Sequence, residues 1–152
     1  MNFLVLTGTT GFKVLENSIS RLVDLYGSKR LQFTIQTKNH IEVLPGIKHV
    51  EFLDLNNIDV TCYDGIIGHC GAGTTFWALE KRVPYMAVVD LTRLDKHQED
   101  LGMWLLKNNY ACVVHSGELV LDDLDALLRQ QFSTYIKDEF KVFALMKIIK
   151  SL

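Results

Sequence analysis

The sequence predicts an α/β fold: a Rossmann-like, doubly wound and mainly parallel sheet with helices on both faces. Short apolar runs alternate with segments of helical length along most of the 152 residues. Strands that alternate with helices pair in parallel, because each helix returns the chain to the same end of the sheet. With 48% hydrophobic and 22% charged residues, the chain fits one globular domain over residues 1–152 with a full core.

Six short runs are predicted as the strands of this sheet. They are apolar, and several are rich in β-branched residues that suit a pleated, buried surface. They cover residues 3–7, 31–36, 49–53, 65–67, 85–89 and 111–114.

Helices are predicted between the strands and after the last one. Apolar residues recur at helical spacing from Val14 to Tyr26. They do so again from Leu101 to Leu105, with Gln98 one turn earlier on the rim. Two C-terminal helices are predicted, over residues 119–132 and from about residue 137 to residue 151. The last one has more apolar positions than one buried stripe requires, so it either packs on the sheet or docks on a partner.

Charge and cysteine content argue against several classes of protein. A formal charge of -2 and a pI near 6.2 provide no general attraction to nucleic acid. Three separated cysteines without a C-x-x-C pair favour neither a disulfide framework nor a zinc knuckle, and indicate a reducing compartment. The apolar start is too short for a signal peptide, and no run reaches the roughly 18 apolar residues of a spanning helix. We therefore expect a soluble, cytoplasmic protein.

The most informative motif is the glycine-rich turn at residues 68–75, Gly-His-Cys-Gly-Ala-Gly-Thr-Thr, which joins an apolar strand to a helix. Its glycines let the backbone approach a ligand closely, and the helix N-terminus favours an anion. Thr74 or Thr75 is predicted to cap the helix, and His69 adds a donor. The predicted phosphate-binding residues of this turn are His69, Gly71, Ala72, Gly73, Thr74 and Thr75.

A second loop of the same kind follows the first strand, where Gly8, Thr9 and Thr10 precede a helix. Ligands of open α/β sheets bind along the carboxyl edge of the strands, so both loops are predicted to lie at one site. The simpler explanation is that tight strand-to-helix turns favour glycine.

A third segment, Asp95 to Asp100, follows the strand at residues 85–89 and begins a helix. Acidic residues suit a helix N-terminus, which explains part of the pattern. His97 and Gln98, at the same sheet edge, are predicted to reach a sugar hydroxyl or a phosphate. No H-E-x-x-H or paired histidine spacing occurs, so no metal site is predicted.

Several nucleotide-binding classes lack their signatures here. The chain has no G-x-x-x-x-G-K-[ST] motif, and its first loop has no G-x-G-x-x-G. The second predicted strand is followed by Thr37 and Lys38, without the acidic residue that binds an adenosine ribose. A P-loop triphosphatase and an NAD-binding protein are therefore disfavoured.

The turn also permits a different interpretation, a nucleophile elbow with Cys70 as the nucleophile of a hydrolase or amidotransferase. A helix N-terminus would lower the pKa of Cys70, with His97 or His115 as base. Against this, Ala72 replaces the last glycine of the elbow, and a small cysteine often only packs beneath such a loop.

Taken in order, these motifs resemble the nucleotide-sugar-binding half of GT-B glycosyltransferases, especially the small stand-alone subunits. Those include the soluble subunit of the two-part N-acetylglucosaminyltransferase of dolichol-linked oligosaccharide synthesis and its bacterial counterparts in capsule and exopolysaccharide assembly. The resemblance extends from Phe3 to about Ala111. It rests on the G-T-T-x-F loop ending at Phe12, His69-x-Gly71-x-Gly73-Thr74, Ala78-Leu79, Pro84 and Asp95-x-His97-Gln98.

The resemblance implies a donor-binding catalytic subunit that transfers a hexose or N-acetylhexosamine from UDP to a lipid-linked saccharide. The diphosphate would lie at residues 71–75 and the sugar near Asp95, His97 and Gln98. Transfer would invert the anomeric centre, with no cofactor and usually no metal. The acceptor half of the cleft, and with it the catalytic base, would come from a membrane-anchored partner subunit.

Two positions depart from the family pattern. Trp77 stands where many members have a Glu associated with the nucleotide ribose, and Lys13 stands where many have Asp. Glu80, one helical turn after Trp77, is a possible substitute. A non-catalytic subunit that stabilises or activates a transferase is therefore the alternative function.

Overall fold

The computed structural model describes residues 1–42, 44–92, 96–116 and 118–137. In this part of the chain, six strands form one sheet in the order β3-β2-β1-β4-β5-β6, and every neighbouring pair is parallel. The strands are β1 Asn2–Leu6, β2 Gln32–Gln36, β3 Ile47–Val50, β4 Gly65–His69, β5 Tyr85–Val88 and β6 Cys112–Val114. The predicted parallel α/β fold is confirmed.

The third strand lies earlier in the chain than residues 49–53. It pairs with β2 from Ile47, opposite Phe33, to Val50, opposite Gln36. Since β2 ends at Gln36, no strand residue remains to pair with those beyond Val50, and Phe52 is 81% exposed. The predicted strand ended too late because it included the apolar residue Phe52, which lies outside β3.

Four α-helices accompany the described strands: α1 Lys13–Tyr26, α2 Ala72–Lys81, α3 His97–Lys107 and α4 Leu121–Arg129. Helix α4 is shorter than the predicted helix over residues 119–132. It begins after Val120, whose backbone N–H donates to the Asp123 carboxylate at 2.8 Å. Of the predicted last helix, Lys137 is described and is not helical, and residues 138–152 lie outside the described part.

The core has two layers because alternate strand residues face opposite sides of the sheet. Phe3 and Val5 point into the layer formed with α1 and α4, where Leu15 and Leu124 are fully buried. The neighbouring strand residues point to the other side, toward α2 and α3, in a layer that contains Leu4, Leu6, Ile66, Leu79 and Leu105. Helices on both faces make the sheet doubly wound.

Strand order reverses at the pair β1 and β4, and this places the predicted loops together. Leu6 pairs with Gly68, so the loop after β1 and the turn after β4 leave the sheet side by side. His69 in turn pairs with Val88, which brings the end of β5 to the same edge. Crevices at such a reversal are the usual ligand sites of open α/β sheets.

After α4, residues 130–137 form a strap that crosses to the face of the sheet covered by α2 and α3. Asn109 holds the start of the strap, since its side chain donates to the Gln131 carbonyl at 2.9 Å and accepts from the Gln130 amide at 2.8 Å. Farther along, the Tyr135 ring lies 5.9 Å from that of Phe76 and 5.6 Å from that of Tyr110. Within the described residues, no helix is both long and apolar enough to cross a membrane.

Candidate functional site

The turn between β4 and α2 exposes a helix N-terminus at the carboxyl edge of the sheet. Gly71 is the N-cap, and the first intrahelical hydrogen bond joins the Thr75 N–H to the Gly71 carbonyl at 2.9 Å. The N–H groups of Ala72, Gly73 and Thr74 precede that bond, and Ala72 and Gly73 are exposed. Such N–H groups, with the positive end of the helix dipole, form an arrangement that binds anions.

Capping by Thr74 or Thr75 was predicted, and this prediction is wrong. The helix begins at Ala72, before both threonines, and its Gly71 N-cap makes no side-chain hydrogen bond. The Thr75 hydroxyl is fully buried and lies 3.1 Å from the Tyr85 hydroxyl. Thr74 is half-buried, and its methyl group packs against Gly68. The Thr75 side chain therefore belongs to the core.

The imidazole of His69 occupies the space between the two glycine loops. A Cβ atom on Gly8 would lie 2.8 Å from His69 Cε1, and one on Gly71 would collide with His69 Nε2. His69 Nδ1 lies 3.4 Å from the Leu6 carbonyl oxygen. A side chain at either position would displace the ring from this place. Thr9 and Thr10 follow Gly8 and are exposed.

The start of α3 completes a cavity of about 280 Å³. It is lined by His69, Cys70, Gly71, Ala72, His97, Gln98 and Leu101. The structure thus brings the predicted residues His97 and Gln98 against the glycine-rich turn. Asp95 lies outside the described residues, and the exposed Thr9, Thr10 and Gly73 do not line this cavity.

Gln98 is buried beside the cavity and holds the backbone that follows β5. Only 7% of the residue is exposed, and its side-chain oxygen accepts the Asp90 N–H at 2.9 Å. Asp90 in turn accepts from the Thr92 N–H at 3.0 Å and hydroxyl at 2.6 Å, which fixes the backbone from Asp90 to Thr92. The sequence pattern had indicated only a ligand contact for Gln98; its bracing role depends on a backbone N–H that no motif reveals.

Cys70 does not have the properties of a nucleophile, and the hydrolase interpretation is wrong. The residue is 1% exposed, and its thiol donates to the Gln98 carbonyl at 3.3 Å. Burial raises the pKa of the Cys70 thiol to about 12. The expected lowering by the helix N-terminus is outweighed by desolvation, so the thiol stays neutral. All three cysteines are free thiols.

Trp77 and its possible substitute Glu80, both on α2, are occupied by protein contacts. The Trp77 indole N–H donates to the Leu55 carbonyl at 3.0 Å, and the Lys81 ammonium lies 5.6 Å from the centre of the indole ring. Glu80 forms an ion pair with Lys137 at 2.9 Å. Trp77 therefore fixes the segment after β3, and Glu80 is tied to the strap. Among the described residues, no cluster of three or more His, Cys, Asp or Glu is arranged to hold a metal ion.

A parallel sheet with a helix N-terminus and a polar cavity at its point of reversal defines a Rossmann-like domain of the kind that forms half of a GT-B glycosyltransferase. Residues 2–139 match the sequence pattern of the glycosyltransferase family 28 C-terminal domain. The chain belongs to that glycosyltransferase family.

Solved structures with the same fold support this assignment. The glycosyltransferase SnogD from Streptomyces nogalater aligns with a TM-score of 0.62 and 21% identity over 84% of this chain. Spinosyn forosaminyltransferase SpnP has a TM-score of 0.62 and 19% identity over 85% of this chain. The chain spans about a third of each of these proteins, 35% of both. No curated protein sequence matches this chain.

Proposed function

We propose that this chain is the donor-binding subunit of a two-component, inverting glycosyltransferase. In this proposal it transfers a hexose or N-acetylhexosamine from UDP to a lipid-linked saccharide in polysaccharide or glycolipid synthesis. The proposal includes no cofactor besides the UDP-sugar, which is the substrate.

One observation carries the proposal: the open N-terminus of α2, His69 and the start of α3 share one cavity. A diphosphate at Ala72 and Gly73 would accept hydrogen bonds from their N–H groups and face the positive end of α2. A sugar on its outer side would then lie near His97 and Gln98. Hydrogen bonds to a developing negative charge on the leaving UDP lower the barrier to transfer.

The same proposal includes a second protein. The chain spans about a third of the solved glycosyltransferases that it resembles, so residues 1–152 supply only one half of a GT-B cleft. We propose that a membrane-anchored subunit supplies the acceptor site and the catalytic base, and recruits this cytoplasmic chain to the membrane. The apolar residues of the 138–152 segment are candidates for that contact.

Calorimetric titration with UDP, UMP and uridine tests the donor site directly. If the N-terminus of α2 binds the diphosphate, UDP binds more tightly than UMP, and uridine binds most weakly. His69→Ala should weaken binding of UDP, because it removes a side chain at the centre of the site. Failure of UDP to bind both the isolated chain and its complex with the partner would overturn the proposal.

A non-catalytic, stabilising subunit is the second candidate, and Trp77 favours it. The indole has no hydrogen-bond acceptor for ribose hydroxyls, and its one donor, the N–H, is already bonded to the Leu55 carbonyl. Measuring the activity of the partner with the wild-type chain, with the His69→Ala chain and with no chain distinguishes the two functions. Full activity with the His69→Ala chain would support the stabilising role, and loss of activity would support the donor site.

A further inference from the structure

Glu16 is a buried carboxylate that joins three separate segments of the chain. It lies on α1, is 1% exposed, and accepts hydrogen bonds from the Phe12 N–H at 3.0 Å and the Thr37 hydroxyl at 2.6 Å. The Asn39 amide donates to both of its oxygens, at 2.9 and 3.1 Å. A buried carboxylate is costly unless such donors compensate for the lost water. The cluster therefore ties the loop after β1 to the segment after β2.

The same cluster fixes one end of the first glycine loop, residues 7–12. Gly11 has a φ of +76°, and a Cβ atom there would collide with the Asn39 amide nitrogen. At the other end Gly8, with a φ of +78°, lies against His69. The exposed residues Thr9 and Thr10 are therefore held between two contacts, one with Asn39 and one with His69.

We propose that Glu16 is a positioning residue: with Asn39 it sets the first glycine loop against His69 and so shapes the donor cavity. The consequence for donor affinity rests on the function proposed above. Glu16 itself acts through the loop, because the described cavity beside α2 does not include it. No motif in the sequence distinguishes this glutamate from a surface residue of α1.

Exchanging the carboxylate of Glu16 and the amide of Asn39 tests the proposal. Each single variant should disturb the pairing, and the double variant should restore it. Asn39→Asp places a second carboxylate against Glu16, and the two negative groups repel each other. Glu16→Gln turns an acceptor into a donor toward Asn39, which an amide flip compensates only in part. In the double variant, the amide on α1 donates to the new carboxylate after β2, so the pairing is restored with the roles reversed.

Two readouts are measured on the full chain: UDP affinity by calorimetry and the position of the His69 Cε1–H resonance by NMR. We expect Asn39→Asp to weaken UDP binding about tenfold and shift the resonance, and the double variant to restore both, as coupled neighbours do. The control is Ser18→Ala on the same helix, which removes a buried hydroxyl bonded to Leu119 and should change neither readout.

The outcomes separate the inference from the proposed function. If folded single variants leave the His69 resonance and UDP affinity unchanged, or if the folded double variant fails to recover the resonance, Glu16 does not position the loop. If UDP binds neither the wild-type chain nor its complex with the partner, the proposed function is overturned. In that case the His69 resonance alone tests the role of Glu16. A shift in the single variants with recovery in the double variant supports this role, and an unchanged resonance in the single variants overturns it.

Discussion

The Gly8 α-carbon lies against the imidazole of His69, so that a Cβ atom at Gly8 would be 2.8 Å from Cε1. This contact joins the loop after β1 to the turn after β4, across the reversal in strand order. A shift of either loop would change this contact. The donor site that we propose is therefore sensitive to changes on the first loop as well as in the glycine-rich turn.

Comparing Gly8→Ala with Gly27→Ala should distinguish the effect of the His69 contact from that of backbone strain. Gly8 and Gly27 have φ values of +78° and +79°, which disfavour alanine, so the substitution should destabilise each by roughly 1–3 kcal/mol. A Cβ atom at Gly27 meets nothing within 4 Å, whereas one at Gly8 displaces His69. We expect both variants to lower the melting temperature and only Gly8→Ala to weaken UDP binding, by calorimetry. Equal affinities in the two variants would contradict the role of the contact.

Gln98→Glu should weaken donor binding while the fold is kept. A carboxylate oxygen can still accept the Asp90 N–H, but it adds negative charge beside the proposed anion site. UDP affinity should fall several-fold at low salt and recover partly at high salt, because salt screens the repulsion. Gln131→Glu, an exposed change on the strap, is the control for net charge. An unchanged affinity in Gln98→Glu would place the anion elsewhere.

The thiols should differ in reactivity. Cys62 is exposed, whereas burial holds the Cys70 thiol neutral by raising its pKa to about 12. Alkylation at pH 8 followed by mass spectrometry should modify Cys62 within minutes and Cys70 only after unfolding. Rapid modification of Cys70 in the folded chain would revive a nucleophilic role.

The same pKa predicts loss of stability at alkaline pH. The folded chain keeps the Cys70 proton above the ordinary pKa of 9.0, at which the unfolded chain releases it. Between pH 9 and about 12 the unfolded state therefore binds fewer protons, and the free energy of unfolding falls as pH rises. Cys70→Ala should make this decline shallower in urea titrations at pH 8 and pH 10. Parallel declines in the two proteins would rule out Cys70 as its source.

The strap should depend on one aromatic side chain. Tyr135→Ala removes a half-buried ring that packs with Phe76 and Tyr110, and should cost about 2 kcal/mol of unfolding free energy. Its neighbour Ile136 is 76% exposed, so Ile136→Ala should change stability by less than about 0.5 kcal/mol. Urea unfolding of both variants gives the comparison. Similar losses would mean that the strap packs differently in solution.

Much of the fold could be predicted from local patterns. Five of the predicted strands overlap closely with those observed, since a buried parallel strand is a continuous apolar run. The exception, β3, is a half-exposed edge strand whose bounds depend on where β2 ends. Helix α4 ended early for a related reason, because residues 130–137 leave the helix to pack across the other face of the sheet.

Local sequence patterns were enough to predict the parallel sheet and the glycine-rich turn, because apolar periodicity and glycine act over a few neighbouring residues. Which polar side chains are available to a ligand depends instead on contacts between distant segments. Thr75 and Gln98 are taken up by partners 10 and 8 residues away, and Glu16 by Thr37 and Asn39, 21 and 23 residues away. Such pairings arise when segments distant in sequence meet at one edge of the sheet, and the cost of leaving a buried polar group unpaired selects them.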